Sequence, residues 1–209
     1  MLRPQKHVAS HDPVDPADVI DVFLQPGDLF VGDAGYRIRT ILGSCVSITL
    51  WHGASRSGGM SHFLLPTRGV TGGGFGASNG ELDGRYGDEA LSSMLDQLSA
   101  SGVRPGACVA KIFGGGNMFP RQARAGTVQV GQRNGEAARR LLRQHGIRVV
   151  GESLYGVGHR QIIFDIASGD VWAHHVQPSA GELERDSDAG AEHDAAYVPA
   201  AVTRRETRD

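Results

Sequence analysis

The sequence predicts a single domain that combines β-strands with α-helices. Short runs of apolar and β-branched residues alternate with polar ones and stop at turns rich in glycine or proline, which is typical of strands. Two longer segments repeat their apolar residues with the period of a helix. The 209 residues are enough for one domain with a substantial core.

Strands dominate the N-terminal part of the chain. The first two flank Gln25-Pro26-Gly27, a sequence that favours a turn. A third leads into Gly43 and Ser44, and a turn at residues 52–56 joins the next two. The predicted strands are residues 19–23, 28–31, 36–41, 46–50 and 57–63.

Two helices are predicted, over residues 89–98 and 134–144. The first ends at Ser101-Gly102, and Gly146 is the natural C-terminal stop of the second. Their inward apolar positions are Leu91, Met94, Leu95 and Leu98 in the first helix, and Ala137, Ala138, Leu141 and Leu142 in the second.

The remaining predicted strands lie at residues 109–113 and 147–151, followed by a hairpin of residues 162–165 and 170–174. The ends of the chain differ in composition from this part. Residues 1–18 are polar and proline-containing and are expected to be flexible, and residues 177–209 are polar and acidic with few large apolar side chains and are expected to be a disordered tail. The expected domain is therefore residues 19–176.

Charge and cysteine usage exclude several classes of function. The formal net charge of −2 gives no general attraction to nucleic acid or anionic lipid. No apolar run approaches the ~20 residues that cross a bilayer, and the N-terminus lacks the apolar centre of a secretory signal. The two cysteines, Cys45 and Cys108, are expected to be reduced, in a cytoplasmic protein. Cys108 lies in an apolar strand and is interpreted as core packing.

Cys45 and His62 form the candidate catalytic pair. A thiol attacks only as thiolate, so a cysteine nucleophile needs a base or a positive neighbour. The strands predicted at residues 46–50 and 57–63 are neighbours in sequence, and their pairing would bring His62 close to Cys45. We expect Cys45 to open a strand rather than a helix, because the residues after it are β-branched at alternate positions.

Three residues before Cys45 fit the same chemistry. Gly43 and Ser44 remove bulk beside the sulfur and permit unusual backbone angles, and backbone N–H groups there can face a developing oxyanion. Thr40 supplies a hydroxyl that can orient the imidazole, a role often given to Asp or Asn.

Other kinds of site stay open from the residues alone. The sequence contains nine histidines, but it has neither a CxxC pair nor an HExxH motif, so the spacing of its residues does not favour a metal site. The loose glycine pattern at residues 72–77 lacks the strand and helix of a nucleotide fold, and residues 114–117 lack the lysine of a phosphate loop. The apolar pair Met118-Phe119 is also typical of a loop that contacts a protein partner. The glycine-rich residues 69–87 are either a flap over the site or a disordered insertion.

Several separate motifs, in one order, resemble those of the CheD family, the chemoreceptor glutamine deamidases of bacterial chemotaxis. The resemblance covers residues 19–176. The matching segments are residues 42–46, 59–66, 111–119, 131–134, 151–152, 163–165 and 169–172. The chain departs from the family pattern at residues 153–160, which have fewer paired glycines, and in the enlarged glycine-rich loop at residues 69–84.

The resemblance implies an α/β fold, a layered sandwich of mixed β-sheets flanked by helices, similar to deamidases of the cytotoxic-necrotizing-factor type. It also implies Cys45 as nucleophile, His62 as general base and Thr40 as the residue that supports the histidine. Gly43, Ser44, Gly115, Gly116 and Asn117 are expected to bind the oxyanion or the substrate, without a metal or cofactor.

The activity implied by the resemblance is hydrolysis of glutamine side-chain amides in methyl-accepting chemotaxis receptors, by a chain expected to be monomeric. An alternative is a regulatory protein that acts mainly by binding a CheC-type chemotaxis phosphatase. A weaker alternative is an esterase or amidase with a small-molecule substrate.

Overall fold

The computed structural model of the chain describes residues 18–68, 81–118 and 129–178. Within these ranges the chain forms nine strands and two α-helices, with a short 3₁₀ turn at Pro105–Ala107. In order, they are β1 (Ile20–Phe23), β2 (Leu29–Gly32), β3 (Tyr36–Leu42), β4 (Val46–His52), β5 (Ser57–Ser61), α1 (Gly87–Ala100), β6 (Val109–Gly114), α2 (Val130–Gln144), β7 (Arg148–Leu154), β8 (His159–Asp165) and β9 (Val171–Val176).

The strands form two mixed sheets. The five-stranded sheet has the order β2-β5-β4-β6-β7, and the four-stranded sheet has the order β1-β3-β8-β9. Each contains one parallel pair, β6 with β7 in the first and β1 with β3 in the second, and the other pairs are antiparallel. This is the α/β class with mixed sheets that the sequence resemblance implies.

The core has two layers, one on each face of the five-stranded sheet. Both helices pack against that sheet, and Val46, Ile48 and Leu50 of β4 lie in the apolar cluster beneath them. The other cluster joins the two sheets and contains Met60 of β5 and Ile38 of β3, with Cys45 packed against it. Because side chains alternate across a strand, residues 45, 47 and 49 face the four-stranded sheet.

Most predicted elements are confirmed to within two or three residues, but α2 is longer than expected. It begins at Val130, four residues before the predicted start. Its first turn contains Gly131, a poor helix former that hides the helical pattern. A side chain at Gly131 would collide with the carbonyl oxygen of Gly115, so this glycine lets the helix approach the turn after β6 closely.

Some predictions fall outside the described residues. These concern the two ends of the chain (residues 1–17 and 179–209), most of the glycine-rich loop, the glycine pattern at residues 72–77, and Phe119. No helix in the described part of the chain is long and apolar enough to cross a bilayer.

Candidate active site

The pairing of β4 with β5 brings Cys45 and His62 to the same face of the sheet. Thr49 lies opposite Met60, and the same register continues to Val46 and Phe63, which exchange hydrogen bonds of 3.1 and 3.0 Å between their backbones. Cys45 and His62 are therefore diagonal neighbours across the two strands, a relation in which Cα atoms lie roughly 7–8 Å apart. Both side chains face the interior between the sheets.

The backbone of His62 is held on both sides by the turn before β2. Its N–H donates to the carbonyl of Asp28 at 2.9 Å, and its own carbonyl accepts from the N–H of Gly27 at 2.7 Å. Gly27 has φ +95°, which only glycine adopts easily, so the turn can form at this position. The histidine consequently sits at a fixed place although it follows the end of β5.

The His62 ring is oriented by Thr40 from the opposite sheet. Thr40 Oγ1 lies 2.8 Å from His62 Nδ1 and 2.9 Å from the carbonyl oxygen of Leu24. The carbonyl can only accept, so the single hydroxyl proton is directed to it. The proton of the hydrogen bond between the two residues must then belong to His62 Nδ1, which donates it to Thr40 Oγ1. This tautomer leaves the lone pair on Nε2, which is buried and has no hydrogen-bond partner among the described residues.

Burial keeps both members of the pair neutral. His62 is 2% exposed, and burial lowers its pKa from 6.5 to about 4, against the opposing effects of the Leu24 carbonyl and the Asp28 carboxylate. Burial likewise raises the pKa of the Cys45 thiol, an effect that the residue's own backbone N–H opposes. At neutral pH the Cys45 thiol and the His62 imidazole are therefore both uncharged.

The turn that carries Cys45 is fixed by three hydrogen bonds to its carbonyl groups. The carbonyls of Gly43 and Cys45 each accept at 2.8 Å, from the N–H groups of Gly116 and Gly115 respectively. The carbonyl of Ser44 accepts from the side-chain amide of Asn134 in α2 at 3.2 Å. The segment after β6 and the first part of α2 thus support the turn from two directions.

These contacts separate the predicted oxyanion donors into two groups. The N–H groups of Gly115 and Gly116 are used on the Cys45 turn, and that of Asn117 donates to the carbonyl of Gly156 at 2.7 Å. Gly115 and Gly116 therefore support the turn and Asn117 holds Gly156, so the backbone N–H groups of all three residues are already used. By contrast, the backbone hydrogen bonds formed within the described ranges include none donated by Ser44 or Cys45.

A pocket of about 380 Å³ adjoins the turn on the side of Gly115. Asn117, one of the residues expected to bind the oxyanion or the substrate, lies in its wall. Other residues of the lining were not predicted as part of the site. The complete lining is Gly115, Asn117, Gln129, Gln132, Tyr155, Gly156 and Val157.

The other candidate chemistries find less support in the described ranges. Cys108 is 3% exposed in the core cluster beneath the helices, which confirms its interpretation as packing. No group of three or more His, Cys, Asp or Glu side chains placed to hold a metal ion occurs in the part of the chain that the structure describes.

Comparison with known proteins identifies the family. Residues 64–175 match the family described as CheD chemotactic sensory transduction. The chain is 63% identical over 159 residues to the probable chemoreceptor glutamine deamidase CheD 2 of Albidiferax ferrireducens, an alignment that covers 76% of this chain and 89% of that protein. It is 41% identical over 168 residues to CheD 3 of Dechloromonas aromatica (80% and 95% covered), and 40% identical over 173 residues to CheD of Pseudomonas savastanoi pv. phaseolicola (82% and 93% covered), both also named probable chemoreceptor glutamine deamidases. The chain belongs to the CheD family.

Proposed function

We propose that this protein deamidates glutamine side chains of chemotaxis receptors to glutamate, with release of ammonia. The names of its relatives support the reaction and the substrate. The observation that carries the mechanism is the protonation state of His62. Its Nδ1 donates to Thr40, and its Nε2 is a buried, unprotonated base on the same face of the five-stranded sheet as Cys45.

In the first half of the reaction, His62 Nε2 takes the thiol proton as Cys45 Sγ attacks the carboxamide carbon of the glutamine. The carbonyl oxygen gains a negative charge as the C=O π bond opens. His62 then returns the proton to the amide nitrogen, the C–N bond breaks, and ammonia leaves behind a thioester on Cys45.

In the second half, a water molecule gives a proton to His62 Nε2 and attacks the thioester carbon. The S–C bond breaks and the thiolate recovers the proton from His62. The glutamine has become a carboxylic acid, which loses its remaining proton to water at neutral pH and is then glutamate. Thr40 keeps the ring in one tautomer through both halves, because its hydroxyl proton remains directed to the carbonyl of Leu24.

The oxyanion of each tetrahedral intermediate is stabilised by the backbone N–H groups of Cys45 and Ser44. Both belong to the turn that carries the nucleophile, so the donors lie close to the point of attack. Gly43 leaves the turn free of a side chain at its start, where a Cβ atom would lie 3.0 Å from the Met118 sulfur.

On the receptor, each turnover creates one negative charge on a helical bundle. The new carboxylate changes the packing and the signalling bias of that bundle. We assign this activity to a domain of residues 19–176 that acts in the cytoplasm. We also propose that the fold of this domain is similar to that of deamidases of the cytotoxic-necrotizing-factor type. We also propose, from the family resemblance, that the chain is a monomer and that a CheC-type phosphatase is a partner.

Ammonia release from a receptor cytoplasmic fragment tests the proposal. Wild type should release ammonia, whereas Cys45→Ala and His62→Ala should lose nearly all activity. Cys108→Ala is the matched control, because it also removes a thiol but lies in the core away from the site. Equal release by wild type and Cys45→Ala would refute the assignment.

The regulatory alternative requires a different experiment. If binding to a CheC-type phosphatase were the main role, the Cys45→Ala protein would restore chemotaxis to cells that lack this gene. We expect no such rescue.

A further inference from the structure

We propose that Asn134 is a positioning residue that aims the backbone N–H of Cys45 at the oxyanion. The inference rests on the proposed function, and it assigns a task to a residue outside the Cys45, His62 and Thr40 set. Asn134 lies in the second turn of α2 and is fully buried.

Its side-chain amide joins the two segments that carry the reacting groups. Asn134 Nδ2 donates to the carbonyl of Ser44 at 3.2 Å and to the carbonyl of Leu64 at 2.7 Å. Both acceptors are carbonyl oxygens, so the amide nitrogen must face them, and both of its protons are used. Ser44 directly precedes Cys45, and the β4–β5 register places Leu64 opposite Cys45.

The bond to Ser44 fixes a peptide plane. The carbonyl of Ser44 and the N–H of Cys45 belong to the same planar trans peptide group and point in opposite directions. When Asn134 holds the carbonyl on the α2 side, the Cys45 N–H is turned to the opposite side. A donor that is already oriented needs no rearrangement when the oxyanion forms, and this is the main source of its catalytic effect.

A purely stabilising role explains the residue less well. Asn134 Oδ1 is buried and has no hydrogen-bond partner within the described ranges, which destabilises the folded state. The carbonyls of Ser44 and Leu64 thus accept hydrogen bonds from a side chain that costs stability because its own oxygen is unpaired. This cost is understandable if the orientation of the two carbonyls matters for the reaction.

The test separates oxyanion stabilisation from the reactivity of the thiol. Deamidation of a receptor fragment depends on the oxyanion donor, whereas alkylation of Cys45 by iodoacetamide is a displacement at carbon that forms no oxyanion. For Asn134→Ala we expect kcat to fall about 10- to 100-fold. KM, and the rate and pH profile of alkylation, should stay close to those of wild type.

A matched control addresses stability. Leu142→Val also removes buried volume from α2, in the core cluster beneath the helices, and it should lower stability while keeping the wild-type kcat. If Asn134→Ala does not fold, Asn134→Leu, which is close to it in size, serves for the same comparison, since its side chain has no hydrogen-bond donor.

Three outcomes would overturn the inference: an unchanged kcat, an equal loss in deamidation and alkylation, or failure of both Asn134 variants to fold. The first means that the peptide plane does not need Asn134, and the other two mean a general structural role. Failure of the proposed function is distinct from these, because it would appear as wild-type protein that alkylates normally but releases no ammonia.

Discussion

Acidification should destabilise the fold through His62, because its imidazole is buried in the neutral form. The side chain is 2% exposed, and its pKa is about 4 in the folded chain against an ordinary value of 6.5. Between these two values the unfolded chain binds a proton that the folded chain does not. The stabilising contribution is therefore present in full above about pH 6.5 and is lost as the pH falls towards about 4.

The size of the effect follows from the two pKa values. At about pH 5, protonation of the unfolded histidine should remove about 2 kcal/mol from the free energy of unfolding, and by about pH 4 the loss should reach about 3 kcal/mol. His62→Asn is the informative variant, because its side chain does not titrate. The asparagine amide also offers a donor near the position of Nδ1, so the bond to Thr40 Oγ1 can be kept.

Urea denaturation of both proteins between about pH 7.5 and about pH 5 measures the effect. The contributions of the carboxylates and of the other histidines cancel when the two free energies of unfolding are subtracted. The difference should shift by about 2 kcal/mol in favour of the variant at the acidic end. Parallel pH dependence of the two proteins would show that His62 is not held neutral by burial and would refute the reasoning.

Three further predictions concern the groups around the nucleophile. Thr40→Val removes the hydroxyl that fixes the His62 tautomer, so its kcat should fall about tenfold or more, whereas Thr40→Ser should retain most activity. A wild-type kcat for Thr40→Val in steady-state kinetics would contradict this prediction. Because burial raises the pKa of Cys45, its alkylation by iodoacetamide should be slow at neutral pH and become faster as the pH is raised, with buried Cys108 unreactive in the folded protein. Fast labelling at neutral pH, located by mass spectrometry, would argue for a thiolate. Gly114 has φ +109°, and a Cβ atom at this position would collide with the Cys45 carbonyl. Gly114→Ala should therefore lower the free energy of unfolding, measured by urea titration, by about 1–3 kcal/mol. An unchanged urea midpoint would contradict this prediction.

Local elements could be predicted from the sequence because their signals are local. The predicted strand at residues 36–41 is β3, Tyr36–Leu42, and the predicted helix at residues 89–98 is contained in α1, Gly87–Ala100. The parallel pairing of β1 with β3, and of β6 with β7, was not predicted. These pairings depend on packing between segments far apart in the chain, which hydrophobic periodicity does not encode.

The same distinction applies to the site. The sequence predicts Cys45 and His62 on neighbouring strands because these two segments follow each other along the chain, and the pairing of β4 with β5 agrees with this. Gly115 and Gly116 were expected to bind the oxyanion or the substrate, and nothing in the sequence indicated that their N–H groups donate to carbonyls of a turn some 70 residues earlier in the chain. Asn134 belongs to a segment that resembles the family, residues 131–134, but nothing local shows that a polar helix residue lies buried against Ser44, 90 positions away.

The most direct test of the account is mass spectrometry of a receptor cytoplasmic fragment after incubation with wild type, Cys45→Ala and Cys108→Ala proteins. Wild type and Cys108→Ala should convert the same specific glutamines to glutamate, and Cys45→Ala should leave those glutamines intact. Conversion of the same glutamines by Cys45→Ala at the wild-type rate would contradict the claim that the Cys45 thiol hydrolyses receptor amides.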